Sequence, residues 1–141
     1  MKRILSLLIL TFVLLTSCAN ENESARKALL DKVLEVHDQV MPKMGDIMKY
    51  KKQLNTKIDE LVEAGAEENA DQIAQLKTAV TSLENSHEGM MSWMRGFNSN
   101  FDDKVEQEVM AYLDDQMTRI EAVAKETDAA LQKAEELLSE K

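Results

Sequence analysis

Cysteine is almost missing from this chain. The one thiol, Cys18, stands near the start, so no disulfide can close within one molecule. Everything after it is without a thiolate to hold a metal or attack a substrate. Proline occurs once, glycine four times, and aromatic residues make up 4% of the 141 positions, a composition that excludes a turn-rich sheet protein and favours long helices. Basic residues are outnumbered 17 to 26 by acidic ones, for a formal charge of −9. Such a surface repels phosphate backbones and anionic lipid heads, so nucleic-acid binding has no electrostatic footing, while cations and basic partners are favoured. Catalytic signatures are lacking too. There is no serine elbow, phosphate loop or zinc helix motif. The pairs Asp102-Asp103, Asp114-Asp115, Glu67-Glu68 and Glu135-Glu136 have neither calcium-loop spacing nor the layout of a carboxylate hydrolase. They read as solvated surface, and no enzyme is expected.

Long apolar runs are limited to one. Lys2 and Arg3 precede a stretch from Ile4 to Leu15 broken only by Ser6 and Thr11, too short for a comfortable membrane span and laid out like a secretion signal. It ends in Leu15-Thr16-Ser17-Cys18, which resembles the lipobox of bacterial lipoproteins: an aliphatic residue, two small or polar ones, then cysteine. The resemblance implies cleavage before Cys18, a diacylglycerol thioether on its sulfur and acylation of the new amino group. On that basis residues 1–17 are a lipoprotein signal peptide, 18–23 a lipidated cysteine with its tether, and 24–141 the folded body. Loss of Lys2 and Arg3 takes the charge from −9 to −11. Each buried methylene of the acyl chains adds about 0.8 kcal/mol to anchoring. A tether of this length reaches less than ~20 Å, so the body is expected in the cell envelope, periplasmic or outside the cell, close to the membrane that holds it.

The body reads as all-α. A first helix, about Ser24 to Glu63, places Leu29, Val33, Val36, Val40, Met44, Ile47, Leu54, Ile58 and Leu61 on one face at steps of mostly three and four. Two consecutive steps of four, at Val36, Val40 and Met44, coincide with Pro42, which removes a backbone hydrogen bond and crowds the carbonyl of Asp38. A kink is expected there. Gly65 marks a turn, and Asn69 with Gln72 three residues on suggests a capped helix start. The second helix, to about Phe97, repeats Ile73, Leu76, Val80, Leu83, His87, Met90, Met94 and Phe97. After a turn at 96–100 with Ser99 or Asn100 as cap, a third helix runs from about Asp102 to Ser139. Its inner face uses Val105, Val109, Tyr112 or Leu113, Gln116, Ile120, Val123, Thr127, Ala130, Ala134 and Leu137. Short connections between long helices predict an antiparallel three-helix up-down-up bundle.

What the chain does have is methionine, nine in all. Six of them, with both histidines, lie in two stretches, His37 to Met48 and His87 to Met94, at helical spacing. These same two stretches give the body its resemblance to a family of small helical envelope lipoproteins, which implies a location and no activity. With turns near residues 66 and 99, Met41 is expected opposite Met91, Met44 opposite Glu88, His37 level with Arg95, Met110 level with Gly89 and Tyr112 level with His87, so that all join one belt.

Such a belt suits a soft monovalent ion, Cu(I) or by similar chemistry Ag(I). Thioether sulfur prefers it over Zn, Ca or Mg, and imidazole nitrogen completes a two- or three-coordinate set. The candidate ligands are His37, Met41, Met44, His87, Met90, Met91 and Met94, with Met110 in reserve. Trp93 on the flank is placed to pack its ring against the ion. The grouping is similar to that of periplasmic Cu(I) carriers in site chemistry alone, since those are small β-barrels. The plain alternative is a structural or protein-interaction module in which methionine fills irregular space around the kink and the histidine bonds a neighbour such as Tyr112. A methionine surface gripping an envelope partner is a third reading. Haem, ligated by His and Met, has little room in so small a bundle. Leu131, Leu137 and Leu138 are expected to be only partly covered, which hints at a homo-oligomer or partner, or at a frayed end.

Overall fold

The computed structural model describes residues 22–139. The expected signal peptide, Cys18 and the first residues of the expected tether lie outside the described residues. All regular structure within them is helical. Helix α1 covers 22–40, so that the last two positions expected in the tether, 22 and 23, continue the helix. Helix α2 is Lys43–Gly65, α3 is Ala70–Gly96 and α4 is Glu106–Ser139. α1 and α2 are the two arms of one helix bent at 41–42, where the kink is expected. The Met41 amide still bonds the His37 carbonyl at 2.9 Å. Pro42, with no N–H to offer Asp38, breaks the ladder at the next step, and the Met44 amide turns to the Met41 carbonyl at 3.2 Å.

The first turn is closed by Gly65, whose φ of +136° only glycine adopts without strain. Asn69 ends up at the start of α3, as expected, but with no side-chain cap there. Its φ of −105° and ψ of 12° differ from the extended geometry an N-cap needs. Its amide nitrogen instead donates to the Gly65 carbonyl at 2.8 Å and, more weakly, to that of Leu61 at 3.4 Å. Asn69 therefore closes the helix behind it, satisfying carbonyls that α2 leaves without partners.

The second turn is longer than the sequence suggests. α4 begins at Glu106, four residues after Asp102. The intervening asparagines fold the chain into successive turns: the Asn100 amide donates to Asn98 Oδ1 at 2.8 Å and the Asp102 amide to Asn100 Oδ1 at 3.0 Å. Short polar side chains that can cap a helix can equally close such turns, and here they do. The added length slides α4 along α3. Tyr112 meets Phe97, with ring centroids 6.2 Å apart, and Gly89 faces Val123. The expected pairings of Tyr112 with His87 and Met110 with Gly89 are thereby corrected.

α2, α3 and α4 all pack on one another. Lys51 pairs with Glu84 and His37 with Met94, whereas Arg26 reaches Glu106 and Lys57 donates to the Leu137 carbonyl. The start of α1 lies against the long connection: Arg26, Lys27 and Leu30 share a groove with Phe101, Asp102 and Lys104. At the far end of α4, Leu131 and Leu138 are half-buried, as expected, with Leu138 beside Lys49, Gln53 and Lys57, whereas Leu137 is fully buried.

Leu54, Leu76, Leu83, Leu113 and Ile120 have no exposed surface. On α3 the buried positions are Ile73, Leu76, Ala79, Leu83, Ser86, Met90 and Trp93, so Ala79, Ser86 and Trp93 take the places expected for Val80, His87 and Met94. A helix flanked on two sides buries a stripe wider than a two-helix seam, and the displaced residues lie one step around its edge. Ser86 is tolerated because its hydroxyl donates to the Ser82 carbonyl at 2.9 Å. Thr127 is different: its hydroxyl is fully buried and has no partner, which costs on the order of 1–3 kcal/mol. Thr127→Val keeps the shape and removes that cost, so its urea unfolding midpoint is expected to rise by an amount worth about 1 kcal/mol. A lower midpoint contradicts the assignment.

Candidate metal site

The bend and the rotation of α3 determine where the histidines and methionines fall. Stepping around α3 from its buried stripe, Met91, Met94 and His87 take half-buried positions, while Met90 is fully buried. On the bent helix, Met44 is buried, His37 and Met41 are half-buried and Met48 is largely exposed. Half-buried is the useful class, because a ligand must be held by packing and still be reached by an ion.

Two of the candidates meet directly. His37 Nε2 lies 3.4 Å from Met94 Sδ, a contact that joins residues 57 positions apart in the chain. The opposite ring nitrogen, Nδ1, is 2.9 Å from Asp38 Oδ1. Both neighbours only accept, the carboxylate strongly and the thioether weakly, so in the neutral ring the proton belongs on Nδ1 and Nε2 keeps its lone pair on the side of the sulfur. A carboxylate behind the distal nitrogen is the usual support for a metal-binding histidine, fixing tautomer and orientation. The His37 side chain is 23% exposed and that of Asp38 77%, so the ring is sheltered while its supporting carboxylate stands in solvent.

The aromatic flank is in place. Trp93 lies with its ring centroid 5.6 Å from that of His37, tilted by 33°. It stacks in turn on Phe97 at 4.8 Å. Phe97 continues to Tyr112, and Tyr112 to Phe101 at 6.0 Å. Tyr112, a possible partner for a seam histidine on sequence grounds, accepts instead from the Asn98 amide at 2.7 Å. Its ring and hydroxyl secure the 97–105 connection to α4.

The other candidates divide by height. In the register set by His37 with Met94 and Lys51 with Glu84, Met41 stands level with Met90 and Met91. Met41, Met91 and Met94 all pack against the core beside the bend. His87 is farther along α3, where it lines a shallow hollow with Ile47, Met48, Lys51 and Glu84. Met110 is carried toward the other end by the long connection, one turn beyond Glu106 and its partner Arg26. Met117 packs against the core and lies close to the height of Met94. The displacement of Met110 follows from the length of one loop.

Among the described residues no group of three or more His, Cys, Asp or Glu side chains converges, so the donor set at His37 depends on thioether sulfur. Comparison with protein-family models, with curated proteins and with solved structures found no match for this chain.

The tautomer is open to a direct check. At a pH where the ring is neutral, long-range ¹H–¹⁵N spectra are expected to show His37 protonated at Nδ1, with Asp38→Ala eroding that preference. Protonation at Nε2 in the unaltered protein would mean that the ring donates to Met94 and offers no lone pair.

Proposed function

We propose that this protein is an envelope lipoprotein, anchored to its membrane through Cys18, that binds Cu(I), or Ag(I) by similar chemistry, and buffers the metal or hands it on. Its body is read as an antiparallel up-down-up bundle of three helices. Contacts that pair rising residue numbers on the bent helix with falling ones on α3, and rising with rising on α4, support that topology.

The single observation that carries the metal reading is the pair of soft donors, His37 Nε2 and Met94 Sδ, at 3.4 Å with the imidazole oriented from behind by Asp38. Bonds of about 2.0 Å to nitrogen and about 2.3 Å to sulfur, the lengths zinc takes, would bridge that gap at an angle of about 105°. So bent an arrangement leaves a third position free, and Met41 and Met91 pack against the same core cluster as Met94. Neutral sulfur and imidazole ligands suit a soft monovalent ion. Unlike thiols, thioethers do not couple into disulfides in an oxidising envelope. The net negative charge raises the local concentration of any cation. Binding by ligation at such a donor pair fits a carrier.

A second reading is favoured by Met44 and Met90, 8% and 0% exposed. They behave as core filler, and the whole belt is then packing in a helical module that holds an envelope partner or a second copy of itself.

Competition with bathocuproine on the full-length lipoprotein in detergent distinguishes the two. Stoichiometric Cu(I) uptake is expected, with His37→Leu and Met94→Leu each weakening it at least tenfold, about 1.4 kcal/mol. Absence of uptake, or uptake indifferent to both substitutions, gives the packing reading.

A further inference from the structure

The histidines stand at different heights. His87 precedes Met94 by seven residues on α3, about 10 Å along the axis at 1.5 Å per residue, while His37 touches Met94 itself. Two donors on one soft ion are separated by at most about 4.6 Å, twice a metal–sulfur bond of about 2.3 Å. The two rings therefore stand at different turns of α3, His37 beside Met94 and His87 beside the hollow that Met48 lines.

His87 nevertheless has a soft neighbour. It lines one solvent-facing hollow with Met48, a thioether that is 54% exposed although its neighbours along the same helical stripe, Met41 and Met44, are covered. Its sulfur is open to an ion from solvent. The two carboxylates bordering the hollow are each paired with a cation, Glu84 with Lys51 at 2.7 Å and Glu88 with Arg95, which weakens their pull on a further ion. The neutral donors beside them are the His87 nitrogen and the Met48 sulfur.

We infer that His87 and Met48 form a second soft-metal site, distinct from the pair His37 and Met94 and more open to solvent. The protein then takes two monovalent ions, one sheltered beside the bend and one at the hollow, with the half-buried Met41 and Met91 at heights between them. The hollow, as the more open of the two, is where an ion exchanges with solvent. This inference rests on the soft-metal reading of the belt.

The test is a titration of the full-length chain in detergent micelles, labelled with ¹³C at the methionine methyls, with Ag(I), which is diamagnetic. The Met94 and Met48 methyl resonances are both expected to move, saturating at two equivalents. Met48→Leu, at an exposed position where folding is not at stake, should saturate at one equivalent with the Met94 shift intact. His87→Leu should abolish the Met48 shift. A Met48 resonance that stays still while Met94 moves overturns the second site and leaves the first. A Met48 shift that persists in His87→Leu is a lone surface thioether and likewise overturns it. If neither resonance moves, both sites fall.

Discussion

Complete burial of an aliphatic seam is the constraint on which the rest depends. Leu54, Leu76, Leu83, Leu113 and Ile120 are wholly withdrawn from water. Each such side chain is worth roughly 1.5–3 kcal/mol of burial, so any rotation of a helix about its axis exposes several at once. Rotation being fixed, the flanking positions have no choice of environment. Met94 and His87 sit at the edge of α3, and His37 at the edge of the bent helix, because Trp93, Ser86 and Val36 with Val40 take the inward places or the opposite side. A histidine and a thioether are thus brought together by core packing and not by their own weak attraction.

The bend and the aromatic series add rigidity around that pair. Pro42 interrupts the helix only four residues after Asp38, just beyond the turn that carries both the histidine and its carboxylate. Trp93 is buried between His37 and Phe97, and the series continues through Tyr112 to Phe101. Stacked rings with few rotatable bonds hold their positions at low entropic cost. The same series fastens the 97–105 connection, so the loop whose length sets the register of α4 is tied to the residue that flanks the candidate site.

Much of the fold was legible in the residues. A composition poor in glycine, proline and aromatics points to helices, and apolar steps of three and four give their extents. Pro42 gives the bend. Three things were not. Asn69 marks a boundary in either role, and only backbone angles decide whether its side chain serves the helix ahead or behind. The stretch 98–102 reads as a cap from its asparagines, but turns use the same chemistry, and the extra residues displace Met110 and Tyr112 from the heights given by a short loop. On α3, Val80, His87 and Met94 alternate as cleanly as Ala79, Ser86 and Trp93. Apolarity favours the first set, and the choice went to the second because a helix with neighbours on two sides is oriented by its largest ring. The His37–Met94 contact survives these corrections because it depends on the first turn alone, where Gly65 is unambiguous. His87 does not join it, since level on the bundle cannot be recovered from a stripe on one helix.

The central claim is that His37 nitrogen and Met94 sulfur are ligands to one ion. X-ray absorption at the copper K-edge of the Cu(I)-loaded protein tests it most directly. A first shell containing both nitrogen and sulfur, with sulfur at about 2.3 Å and lost on Met94→Leu, is the predicted result. A shell of oxygen and nitrogen alone, or copper that does not stay with the protein through buffer exchange, would contradict it.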